Sequence, residues 1–115
     1  MKPIRPWRGL GALLAGLMPL AAGAASTTLS WKVAEEAKVY GYIVYRSDHR
    51  DGPFQRLNRQ IVRVKDAERD DAGQSRYRYV DAQVESGRTY YYFIDAISVQ
   101  GRKQRLSGVK SRTIP

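Results

Sequence analysis

Between Thr28 and Thr113 the apolar residues either alternate with polar ones or run together in short bursts. Nowhere in that span do they sustain the 3.6-residue period of an amphipathic helix. Side chains alternate across a strand, so every second residue of such a segment faces a core. Leu29, Trp31 and Val33 share one face of a first strand, and Val39 to Arg46 is strongly β-prone. The run from Ser47 to Pro53 is a dense turn signal, and Phe54 to Leu57 restarts a short strand that closes a hairpin across it. Ile61 to Val64 is a further short strand, Lys65 to Ser75 reads as a loop, and Tyr77 to Val80 is a strand ending at Asp81. A tight link, Val84-Glu85-Ser86-Gly87, leads into the strongest run, Thr89 to Val99. Gly101 to Arg105 reads as a basic turn and Gly108 to Ile114 as the last strand. Short strands separated by turns at roughly 8–12-residue spacing predict a sandwich or a barrel.

The rest of the composition narrows the chemistry. With 115 residues and no internal repeat there is room for one domain. The absence of cysteine excludes disulfides and thiolate metal sites, and the single histidine, His49, excludes a multi-histidine site within one chain. A small core without disulfides must lean on large side chains, and 8 tyrosines are available for it.

The first 25 residues stand apart from this pattern. Lys2, Arg5 and Arg8 make a basic start, Leu10 to Ala22 is apolar on all sides, and small residues follow from Ala22 to Ala25. That is the layout of a secretory signal peptide. The apolar stretch is shorter than the ~20 residues a membrane span needs, and no cysteine follows it to take a lipid. The expectation is therefore a signal peptide over 1–25 and a folded domain over 26–115, secreted or periplasmic, without a transmembrane anchor. Losing three basic residues leaves 17 Lys and Arg against 11 Asp and Glu, a net charge of +6.

Three segments resemble one known family. Leu29-Ser30-Trp31 is similar to the second strand (B) of fibronectin type III domains. Gly41-Tyr42-Ile43-Val44-Tyr45-Arg46-Ser47 followed by Gly52-Pro53-Phe54 is similar to the third strand (C) and its hairpin. The segment from Asp81 through Val84 and Gly87 to Thr89-Tyr90-Tyr91-Tyr92 is similar to the turn into strand F. The resemblance spans Thr28 to Thr113 and implies an all-β, immunoglobulin-like two-sheet sandwich of the fibronectin type III type. In it Tyr90 would be the corner tyrosine, whose hydroxyl bonds to nearby backbone. Tyr90, Tyr92, Ile94 and Ala96 would face inward, opposite Trp31, Tyr42 and Val44. The family's first strand has no counterpart here, since Ala25 to Ser30 reach only ~20 Å and strand B uses that length. Strand B would then be an open edge, available for self-association or for a strand from a partner.

The candidate sites follow from the same reading. His49 lies in a hairpin turn, where close sequence neighbours do not preorganise a catalytic triad. Asp66, Glu68, Asp70 and Asp71 lack the ligand offsets of a calcium loop and read as a solvated loop. No catalytic residue, metal or cofactor is expected. The outward set is different. Tyr45 on strand C and Tyr91 and Phe93 on strand F, with Ile43 beside them, form either an exposed aromatic contact face or a patch packed beneath hairpin and arginine stems. Arg102, Lys103 and Arg105 add a basic F–G loop, suited to solubility or to an anionic partner. The expected function is an exported binding or scaffolding module making protein–protein or protein–envelope contacts. A carbohydrate- or anionic-glycan-binding module is the alternative, and nucleic acid is not expected.

Overall fold

The computed structural model describes residues 25–115; the expected export segment therefore lies, except for Ala25, outside the described residues. Nine strands follow in chain order: β1 Thr27–Val33, β2 Val39–Ser47, β3 Gln55–Arg56, β4 Val62–Arg63, β5 Glu68–Arg69, β6 Ser75–Asp81, β7 Thr89–Ser98, β8 Lys103–Arg105 and β9 Lys110–Thr113. They form two antiparallel sheets, and the fold is an all-β sandwich. The smaller sheet has the order β1-β6-β5, with Thr27 opposite Asp81 and Val33 opposite Ser75. The larger sheet is built on the β2·β7 pair, which runs from Val39 opposite Ser98 to Ser47 opposite Tyr91. β3 and β4 pair in succession along the free side of β2, and β8 and β9 along the free side of β7.

Alternation fills the space between the sheets as expected. Leu29, Tyr42, Val44, Tyr77, Val84, Tyr90, Tyr92, Ile94 and Ile114 form one buried cluster. Three corrections to the sequence reading follow from the topology. Trp31 is only half-buried: it packs against this cluster, but β1 is an edge strand and leaves part of the ring uncovered. Glu68–Arg69, inside the expected loop, pairs with β6 as a third strand. Lys103–Arg105, expected in a turn, is a strand on β7, and the turn is confined to the residues before it, with Gly101 at φ 88°.

The corner tyrosine geometry is present. Tyr90 is buried, and its hydroxyl accepts a hydrogen bond from the Glu85 backbone N–H at 3.0 Å. This bond ties the link after β6 to the start of β7. Tyr90→Phe should cost about 1 kcal/mol, the usual net worth of a buried hydrogen bond. Denaturant titration giving the variant wild-type stability would refute the assignment.

At one end of the core, Trp31 meets Tyr42 edge-on and Tyr77 stacked, both with ring centroids at 5.7 Å, while Tyr42 and Tyr77 are 4.7 Å apart. The Tyr42 hydroxyl donates to Glu36 Oε2 at 2.7 Å, and the Tyr77 hydroxyl donates to the same oxygen. Burial, with the bond to Glu36, raises both phenols, Tyr77 to about 12. Burial also pushes the Glu36 carboxyl up, but donors on Ser75, Tyr77 and Tyr42 and the charge of Arg69 outweigh it and hold it below its ordinary 4.5. A carboxyl depressed by folding stabilises the fold above its unfolded value of 4.5. That contribution disappears as pH falls through the lower folded value. Glu36→Gln should therefore flatten the acid limb of the stability profile between pH ~5 and ~3. Urea midpoints measured across that range check this, and an unchanged acid slope in the variant would refute it.

Two further features fix the free side of β2. Asn58 is buried between β3 and β4 and does the work of a strand: its Oδ1 accepts from Val44 N–H at 2.8 Å, and its Nδ2 donates to the Tyr42 and Gln60 carbonyls at 3.1 and 2.9 Å. Gly41 sits where the β2·β7 register shifts, and a Cβ there would stand 2.5 Å from the Val62 carbonyl oxygen. Only glycine lets β4 approach β2 so closely.

Across the two sheets, Arg46 of β2 meets Asp81 of β6. One guanidinium nitrogen, Nη1, donates to both carboxylate oxygens at 2.9 Å. Asp81 also accepts from the Tyr92 hydroxyl at 2.8 Å and from Gln83 N–H at 3.1 Å, so its oxygens are well satisfied in the interior.

Candidate binding surface

The outer face of the larger sheet gathers most of the candidate residues. Antiparallel register sets Tyr45 opposite Phe93, Asp95 opposite Arg105 and Ile97 opposite Lys103, all on that face. The Tyr45 and Phe93 rings stack at 4.6 Å with planes 18° apart. Phe54, delivered by the hairpin after β2, meets Phe93 edge-on at 4.9 Å. The Arg105 guanidinium lies 3.6 Å from the Phe93 ring centroid, and its Nε is 3.5 Å from Asp95 Oδ1. Lys103 Nζ donates to the Tyr45 hydroxyl at 3.4 Å. Along the same face, Arg50 of the hairpin turn lies over the Tyr91 ring at 5.2 Å.

Of the two arrangements expected for these residues, this one is nearer the patch packed beneath hairpin and arginine stems. Phe93 is 7 % exposed and Ile43 only 2 %, although neither belongs to the inter-sheet core. They form a second, outer layer, in which Phe93 is packed under Tyr45, Phe54 and the Arg105 side chain. Tyr45 and Tyr91 are half-buried and form the accessible aromatic part. Lys103 and Arg105 are fixed by the strand and by their ring and hydroxyl partners. Arg102 stands one step away on the turn, exposed, its backbone N–H held by Ser98 Oγ at 3.1 Å. Asp95, outward by the same alternation as Tyr91 and Phe93, completes the surface together with Phe54 and Arg50. The hairpin that carries Phe54 and Arg50 was legible, but which way it folds over the sheet was not.

The other candidates fall elsewhere. His49 is exposed at the hairpin tip, with its backbone N–H donating to Ser47 Oγ at 2.9 Å. Asp70 turns back into its own loop, accepting from Ala72 and Gln74 N–H at 2.9 and 3.0 Å, and pairs with Lys32 at 3.6 Å. Among the described residues no helix is long and apolar enough to cross a membrane.

No protein-family model matches the chain. Over 85 residues, 73% of its length, it is 32% identical to part of the amylopullulanase of Thermoanaerobacter thermohydrosulfuricus. The chain spans only 5% of the length of that protein. The likeness is thus to a single module-sized stretch of a much longer polypeptide.

Proposed function

We propose that this chain is an exported, non-catalytic module of the fibronectin type III kind that makes protein–protein or protein–envelope contacts. Support for the fold type comes from the division of strands, with β1 and β6 facing β2, β7 and the β8/β9 edge, and from the Tyr90 corner. Export rests on the basic, apolar and small-residue order of residues 2–25.

The observation that carries the binding reading is the preassembled face of Tyr45, Phe93, Lys103 and Arg105. Its rings and guanidinium are held by one another before any partner arrives, so little side-chain freedom is lost on contact. Tyrosine and arginine in such settings carry much of the energy of protein interfaces. The test is capture from the native envelope fraction by wild type and by a Tyr45→Ala/Arg105→Ala variant with matched circular dichroism. The reading requires a partner retained by wild type and lost by the variant; equal retention overturns it.

The likeness to a stretch of an amylopullulanase supports a second reading, as a carbohydrate-binding module. The geometry favours it less, since sugars stack on open ring faces and Phe93 is covered by Phe54 and Arg105. Glycan-array binding that Tyr45→Ala abolishes would establish this second reading in place of the first.

A further inference from the structure

We infer that the free edge of β1 and the groove beside it form an acceptor site for an extended segment of another protein in which apolar residues alternate with acidic ones. The site lies at an edge of the sandwich, and of the contact face described above it shares only Phe93. The two proposals can therefore fail separately.

The backbone comes first. Among the described residues β1 pairs only with β6. Main-chain groups of a strand point alternately to its two sides. The Thr28 carbonyl points to the open side, because Arg112 Nη1 reaches across and donates to it at 3.3 Å. The N–H and C=O groups of Ser30 and Lys32 therefore point the same way, and among the described residues nothing pairs with them. Such a row is a template for an added strand.

The groove beside this edge has Leu29 and Trp31 on one wall, Tyr92 and Ile94 at its floor, and Lys110 and Arg112 on the far side. Its volume of about 210 Å³ is below the ~300–1,000 Å³ of ordinary small-molecule sites. It suits instead the inward-pointing apolar side chains of a strand laid along β1. Trp31, which lines the groove, keeps its Nε1 shielded from solvent without an acceptor among the described residues.

Charge selects the occupant. The outward side chains of an added strand would run beside Lys32, with Arg76 opposite it on β6. Lys32 is already paired with Asp70 at 3.6 Å and Arg78 with Glu68 at 2.9 Å, but Arg76 between them makes no ion pair among the described residues, and the three cations line one patch beside Ser30 and Trp31. A second copy of this basic chain would bring the same cations to the junction, and repulsion disfavours it. An acidic, alternating segment satisfies both the groove and the cations.

The probe is a synthetic peptide as long as β1, of alternating valine and glutamate, titrated into the full chain with amide exchange read residue by residue. Binding should slow exchange at Ser30 and Lys32 and weaken with salt. N-methylation of the peptide on its pairing edge should abolish binding without touching the protein. Arg76→Glu with Arg78→Glu should weaken it by about tenfold or more. Unchanged exchange at Ser30 and Lys32, or equal binding by the N-methylated peptide, overturns the proposal. Equal binding of a valine–lysine peptide overturns the charge assignment. Protection that grows with protein concentration alone assigns the edge to a second copy and overturns the acidic partner.

Discussion

Asp81→Ala should destabilise the domain by about 3–5 kcal/mol, enough to unfold a marginal variant at ambient temperature. The carboxylate is buried and is the common acceptor for Arg46, Tyr92 and the Gln83 backbone. The Arg46 side chain is itself only 13% exposed, so removal of the carboxylate leaves its cation poorly hydrated, with only the Gln83 carbonyl at 3.2 Å still accepting from it. The cost is that of the stranded charge rather than the worth of the pair. Arg46→Met with Asp81→Leu removes both charges together and should recover much of the loss, since apolar replacement of a buried pair is often neutral. Urea denaturation of the three proteins decides it: a single variant within 1 kcal/mol of wild type would mean that water already reaches the pair.

Tyr42→Ala should cost a similar ~3–5 kcal/mol, by a different route. Tyr42 is fully buried and touches both Trp31 and Tyr77, so truncation opens a cavity under both rings. It also removes one of the two phenols that donate to Glu36. Tyr42→Phe separates the contributions: it keeps the ring and should cost only ~1 kcal/mol for the hydroxyl. Equal losses in the two variants would show that the hydrogen bond, and not packing, holds this end of the core. An alanine variant with wild-type stability would remove Tyr42 from the core altogether.

Much of the inner layer was legible because strand alternation is a local property. Once the strands are placed, Tyr42, Val44, Tyr90, Tyr92 and Ile94 can only point one way, and all five are buried. Alternation also assigned Ile43 and Phe93 to the outer face correctly. It left open whether that face is bare or covered by the hairpin and an arginine stem, because cover depends on where a hairpin and a neighbouring strand fall in space. Trp31 illustrates the reverse failure. Its face was right, but the extent of its burial depends on the strand beyond it, and β1 has none among the described residues. The Arg46–Asp81 pair joins residues 35 apart, one on each sheet, and no local pattern marks it. Asn58 was hidden for a related reason: an asparagine between short strands looks like a turn residue until its amide is seen against the β2 backbone.

The two ends of the smaller sheet are unequal, and this bears on how the protein can assemble. β1 offers seven residues at one border, whereas β5 at the other is two residues long. A strand-by-strand filament requires every subunit to both give and receive a comparable edge, as a head-to-tail contact that repeats without closing. Here the receiving border is long and the opposite border is too short to pass the contact on. Pairing at β1 therefore terminates with its first occupant. Within the smaller sheet, growth has nowhere to continue.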